Sequence, residues 1–240
     1  MKKTLVIPLL LLTSIVVNGA DLNSFFNKAD TFFKKYVHDG RVAYKSINAN
    51  FSEIQSLYSD INTMNLAAAN DNEKKAFYIN AYNLVVIYQV SKYYPLKSPL
   101  DQSGFFDKVK HQVAGQSMTL NSLEILKLIQ TYKDPRVHFA LACAAKSCPP
   151  LPSFSFLPNE LDTQLTTRTK LSIDNKDWLK VRPESNKVAL SKIFDWYKKD
   201  FTMDGSITVI DFINKYKKIK IPSNYEISYY EYSWELNDEG

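Results

Sequence analysis

Apolar residues recur at helical spacing along most of this chain. Leu22, Phe25, Phe26, Ala29, Phe32, Phe33 and Tyr36 form one stripe, which predicts a helix over residues 21–37. Ile54, Leu57, Tyr58 and Ile61 predict a second over 52–64. From Glu73 to Tyr93 the pattern loses its polar face: between Ala76 and Val90 apolar residues occupy nearly every side. A helix of that kind is expected to run through the interior. Residues 108–119, KVKHQVAGQSMT, read as a hairpin turning at Ala114-Gly115-Gln116, with His111 on its exposed surface. Asn121-Ser122-Leu123-Glu124 has the form of a capping box opening a helix to Tyr132, which would assign Glu124 to the cap. Further helices are expected over 158–171, 192–201 and 207–216. Short strands are expected over 178–181 and 187–190, and a tyrosine-rich extended segment over 219–236.

The period changes in Asp134–Leu151, DPRVHFALACAAKSCPPL. Val137, Phe139, Leu141 and Cys143 alternate with His138, Ala140 and Ala142. A period of two with only small residues on the second face predicts a strand over 136–143 covered on both sides. The whole then reads as an α+β fold: a single, helix-rich domain over residues 21–240, with a small mixed sheet around this central strand. Asn80 and Asn83 share a face of the buried helix. Their amides must find partners, because an unsatisfied buried polar group costs about 1–3 kcal/mol.

The first twenty residues follow a different rule. Lys2 and Lys3 precede an apolar run, Thr4–Val17, and then the small residues Gly19 and Ala20. This is the pattern of a secretory signal peptide, and the run is short for a membrane span, which needs about 20 residues. The mature chain, residues 21–240, is therefore expected to be exported, periplasmic or secreted, with no membrane span after signal removal. Lys and Arg number 30 and Asp and Glu 25, a net charge of +5 that is too mild to indicate nucleic acid. No cofactor motif is present, and the sequence names no partner.

Five segments carry a resemblance. AFYINAYN (76–83), VAGQSMTLNSLE (113–124), DPRVHFALACAAKSCPPL (134–151), LSKIFDWYKKDF (190–201) and the closing YSWELN (232–237) resemble domain of unknown function family 547. The family is similar to secreted or anchored bacterial proteins and to the C-terminal domain of certain plant proteins; it carries no established activity. Tyr78 stands where many members have tryptophan. Ala144 stands where many have glycine, so no positive φ is expected there.

Three readings compete for His138, Cys143 and Cys148. The first is a Cys143–Cys148 disulfide, since four intervening residues allow closure and an exported compartment is oxidising. Such a small loop would contribute only about 2 kcal/mol on the chain-entropy model. The second is a thiol nucleophile: Cys148, with Lys146 lowering its pKa, His138 as base, and Asn80 or Asn83 orienting the imidazole. This requires the loop to fold back, because His138 and Cys143 would sit roughly 16 Å apart on opposite faces of a straight strand. It points to a cysteine-dependent hydrolase or acyl transferase, by analogy with papain-like and transglutaminase-like enzymes. The third, a metal held by His138 and both cysteines, has the wrong cysteine spacing for zinc and lacks a fourth ligand. The competing class to an enzyme is a non-enzymatic binding or structural module stapled by the disulfide.

Overall fold

The computed structural model describes residues 21–176 and 178–240; the expected signal peptide, residues 1–20, lies outside them. Helix α1 (Leu22–Tyr36) starts immediately after Asp21, whose carboxylate accepts from the Ser24 amide at 3.0 Å. Helices α2 (Tyr44–Ala49) and α3 (Phe51–Thr63) follow, and all three pack on α4 (Asp71–Tyr93). A reciprocal capping box opens α4: Asn70 accepts from the Glu73 amide, and Glu73 accepts from the Asn70 amide. Buried residues run from Lys75 to Ser91 on every side of it, as its lack of a polar face implied. Helix α5, residues 120–132, lies against it as well, and its middle, Leu123–Ile129, is wound as a π-helix.

The strands are short. Hairpin β1–β2 (Val37–His38, Arg41–Val42) turns through Gly40, which has φ +81°. A Cβ on Gly40 would come within 2.5 Å of the Pro150 side chain, so both φ and space demand glycine there. Hairpin β3–β4 (Lys110–Val113, Gln116–Thr119) turns through Ala114-Gly115, as expected. Its histidine is not exposed. His111 is buried: its Nε2 lies 2.7 Å from Gln89 Oε1 and its Nδ1 3.1 Å from the Tyr58 hydroxyl. His111 shares the buried face of β3 with Val113 while Lys110 and Gln112 face outward, and the strand lies along α3.

A small mixed sheet is present, in a different place from that expected. Strands β5 (Leu179–Arg182) and β6 (Lys187–Leu190) are antiparallel, and β7 (Glu226–Tyr229) joins β6 in parallel. A second core lies beneath, formed by Trp178, Leu190, Phe194, Phe201 and Phe212 with Phe139 fully buried among them. The class is thus helix-rich α+β, but residues 136–143 are not its central strand. Pro135–Phe139 is a 3-10 helix, with the Asp134 side chain accepting from the Arg136 amide and proline at the first position. Asp-Pro is a helix-start signal, and it overrides an alternation that arises only because both faces are buried. The extended piece beyond makes no ladder. Asn83 takes its hydrogen bonds instead, donating to Ala140 O at 2.8 Å and accepting from the Ala142 amide at 2.9 Å.

Ala144 also departs from expectation. It adopts φ +65°, a left-handed conformation that costs a non-glycine residue about 1–2 kcal/mol. The C-terminal segment holds it there. Asn237 N donates to Ala144 O, Lys146 N donates to Glu235 O, and Ala145 bridges Leu236. The same segment is tied to β2, where Val42 N donates to Asn237 O, and Tyr44 donates to the Asn237 side chain.

Candidate functional site

One cavity, of about 420 Å³, gathers residues from all five sequence segments singled out above. Its volume lies within the range of small-ligand sites. Helix α4 contributes Tyr82 and α5 contributes Glu124. The 3-10 turn and the loop after it contribute His138, Cys143 and Cys148. Trp196 and Tyr197 come from the turn between two short helices, Ile193–Trp196 and Lys198–Phe201, and Tyr232 and Trp234 from the C-terminal segment. Because residues 235–237 are hydrogen-bonded to the 144–146 loop, Tyr232 and Trp234 are fixed over the cysteines.

The cysteines are joined. Cys143 and Cys148 form a disulfide with Cα atoms 6.1 Å apart, and the Tyr232 hydroxyl lies 3.2 Å from each sulfur. Lys146, expected to act on Cys148, instead pairs with Glu235 on the surface. His138 is buried, and its Nε2 lies 2.9 Å from an Asp200 carboxylate oxygen. A carboxylate can only accept, so that contact places the proton on Nε2 and leaves the Nδ1 lone pair free in the neutral ring. The imidazole packs on Tyr197, with centroids 4.0 Å apart and planes 34° from parallel.

Neither asparagine reaches this histidine. Asn83 is spent on Ala140 and Ala142. Asn80 donates to Ala76 O and Phe156 O and accepts from the Phe156 amide. Both amides fasten α4 to neighbouring backbone, and the orienting partner of His138 is Asp200.

Glu124 has the spacing of a capping residue but does not cap the helix. The cap is Thr119, whose hydroxyl accepts from the Ser122 amide at 3.1 Å. Glu124 is 8% exposed and accepts from the Tyr197 hydroxyl at 2.6 Å, and Tyr82 lines the same cavity. Burial first, then the Glu124 charge, pushes the Tyr82 and Tyr197 phenols far above their ordinary range. Burial does the same to Tyr232, with smaller contributions from Tyr230 and Glu124. These phenols therefore stay protonated and act as donors.

The rim is aromatic. Tyr232 lies 4.9 Å from both Trp196 and Trp234, centroid to centroid, and Phe106 extends the row at 6.2 Å from Trp234. Trp196 is 49% exposed.

The family model described as a protein of unknown function, DUF547, matches residues 66–171. That segment belongs to DUF547. No curated protein and no solved structure matches the chain. The DUF547 segment supplies Tyr82, Glu124, His138 and both cysteines. Trp196, Tyr197, Asp200, Tyr232 and Trp234 come from beyond it, so the cavity is completed by residues outside the matched region. Among the described residues, no three His, Cys, Asp or Glu side chains gather as metal ligands, and no helix is long and apolar enough to cross a membrane.

Proposed function

We propose that the mature chain is an exported ligand-binding module whose seat is this aromatic cavity, stapled at one wall by the Cys143–Cys148 disulfide. The observation that carries the reading is the convergence of Tyr82, Phe106, Trp196, Tyr197, Tyr232 and Trp234 on one cavity. Rings of this kind supply large contact area at low entropic cost and are the usual lining of small-molecule sites. Ligand-observed NMR with a fragment library should find compounds that compete with one another and lose binding in Trp234→Ala. Fragments that bind the variant equally well, or no binders at all, would sink the reading.

Export is supported by Lys2-Lys3, the apolar run and the small residues before Asp21, the residue that caps the first described helix. N-terminal sequencing of protein from the producing cells should begin near Ala20 or Asp21. A mature chain still starting at Met1 would contradict it.

One observation favours a second reading, a cysteine-dependent hydrolase or acyl transferase: Cys148 lines the same cavity as the His138–Asp200 pair. In the disulfide neither sulfur can attack. An external dithiol would have to reduce the bond first, giving two thiols. Cys148 could then pass its proton to His138 Nδ1 and attack an acyl carbon; His138 would return the proton to the leaving group, and water or another nucleophile would release the acyl chain. After reduction, iodoacetamide should label Cys148 faster than Cys143, and His138→Ala should slow that labelling at least tenfold, to about the rate of an unassisted thiol. Equal labelling rates with and without His138 would remove the enzyme reading.

A further inference from the structure

We infer that the cavity takes an organic cation, an ammonium group carrying alkyl substituents, seated on the aromatic wall of Trp196, Tyr232 and Trp234 with Glu124 as its counter-charge. The inference rests on the cavity being a ligand site and names the class of ligand.

Charge is the first reason. Basic residues outnumber acidic ones in this chain, 30 to 25, yet the cavity lining contains two carboxylates, Glu124 and Asp107, and no lysine or arginine. Glu124 is the more telling of the two. It is more than nine-tenths buried, and among the described residues no cationic side chain pairs with it. The Tyr197 phenol donates to it, but that group is neutral and brings no compensating charge. Buried carboxylates are ordinarily paired with a cation, and this one faces a cavity with room for one.

The wall is the second reason. Trp196 and Trp234 lie 6.1 Å apart with their planes 27° from parallel, and Tyr232 touches both. Rings this close leave no slot between them, so a ligand would meet them as one aromatic cluster on the cavity wall. The faces of Trp and Tyr rings attract cations within about 6 Å of the centroid, Trp most strongly. An alkylated ammonium suits such a surface, because its methyl groups bury apolar area while its charge is diffuse and weakly hydrated.

A sugar would also stack on aromatic rings, but it must exchange many hydrogen bonds with its site. Here the Tyr197 hydroxyl is committed to Glu124 and that of Tyr232 to the disulfide sulfurs. A neutral polyol would also bring no charge to meet the buried Glu124.

The test uses the full chain in phosphate buffer, free of amine buffers. Choline, tetramethylammonium and 3,3-dimethylbutan-1-ol, the uncharged isostere of choline, are titrated by tryptophan fluorescence and calorimetry, with glucose as the polyol arm. Choline and tetramethylammonium should saturate, and the isostere should bind at least tenfold more weakly, the charge being worth about 1.4 kcal/mol or more. Glu124→Gln should weaken choline at least tenfold and leave the isostere unchanged. Trp196→Ala, at a half-exposed rim position, should weaken both cations and serves if Glu124→Gln fails to fold. Equal binding of choline and its isostere, binding of glucose alone, or no binding of either cation would overturn the inference. The fragment screen separates the two levels. If fragments bind at Trp234 while cations do not, the cavity reading stands and the cation assignment falls; if fragments also fail, both fall.

Discussion

Phe139→Ala should lower the unfolding free energy by about 3–5 kcal/mol, the range for removing a phenylalanine from a packed core. The ring is fully buried, and Trp178, Phe194, Phe201 and Phe212 surround it at centroid distances of 5.7–6.3 Å. The residue also joins the 3-10 turn of the DUF547 segment to the sheet and helices beyond residue 171. Its loss should therefore loosen the seat of neighbouring His138 as well as destabilise the chain. Urea unfolding of the two proteins measures the difference. A cost below about 1 kcal/mol would mean that the second core closes around the gap and that Phe139 is not its centre.

His111 should make stability fall with pH in a window where most carboxylates are still ionised. Burial, and secondarily the charge of Lys92, lowers its pKa from 6.5 to about 4. The neutral ring fits its surroundings: Nε2–H donates to Gln89 Oε1, and Nδ1 accepts from the Tyr58 hydroxyl. A proton on Nδ1 would meet that hydroxyl donor and undo the arrangement. Between pH 6.5 and about 4 the unfolded chain binds a proton that the folded chain refuses, so stability is full above 6.5 and declines as pH falls. The span corresponds to about 3 kcal/mol at most. Unfolding free energies measured across this range should drop in the wild type, and His111→Gln, though less stable at pH 7, should show a flatter profile. Parallel profiles would mean that His111 carries its proton in the folded protein.

Much of the helical framework was legible because it depends on short-range pattern. The α1 stripe, the all-round apolarity of α4, the 114–115 turn and the two short strands near 180 and 188 each repeat a local period or contain a turn residue. The errors share one cause, which is that local pattern does not say what covers a face. The alternation over 136–143 is genuine, but an asparagine side chain and an Asp-Pro start replaced the strand it implied. His111 lies on the same face of its strand as Val113, and packing of the hairpin along α3 makes that face an interior one. Glu124 sits at a spacing that suits a cap, and Thr119 is the residue that caps.

The sequence by itself determined the helix-rich class, the interior helix that carries Asn80 and Asn83, and the importance of the stretch from His138 to Cys148. Only the tertiary structure decided that His138, Cys143 and Cys148 share a cavity with Glu124, Trp196, Tyr197, Tyr232 and Trp234, and that Asp200 is the partner of His138. The contacts that build the site join residues 62 to 89 positions apart, such as His138 with Asp200, Glu124 with Tyr197 and Cys143 with Tyr232. Periodicity extends over a turn or two of helix. Pairings at this range are set by how whole elements pack, because burying the apolar faces of α4, α5 and the C-terminal segment together fixes which polar groups are left facing one another.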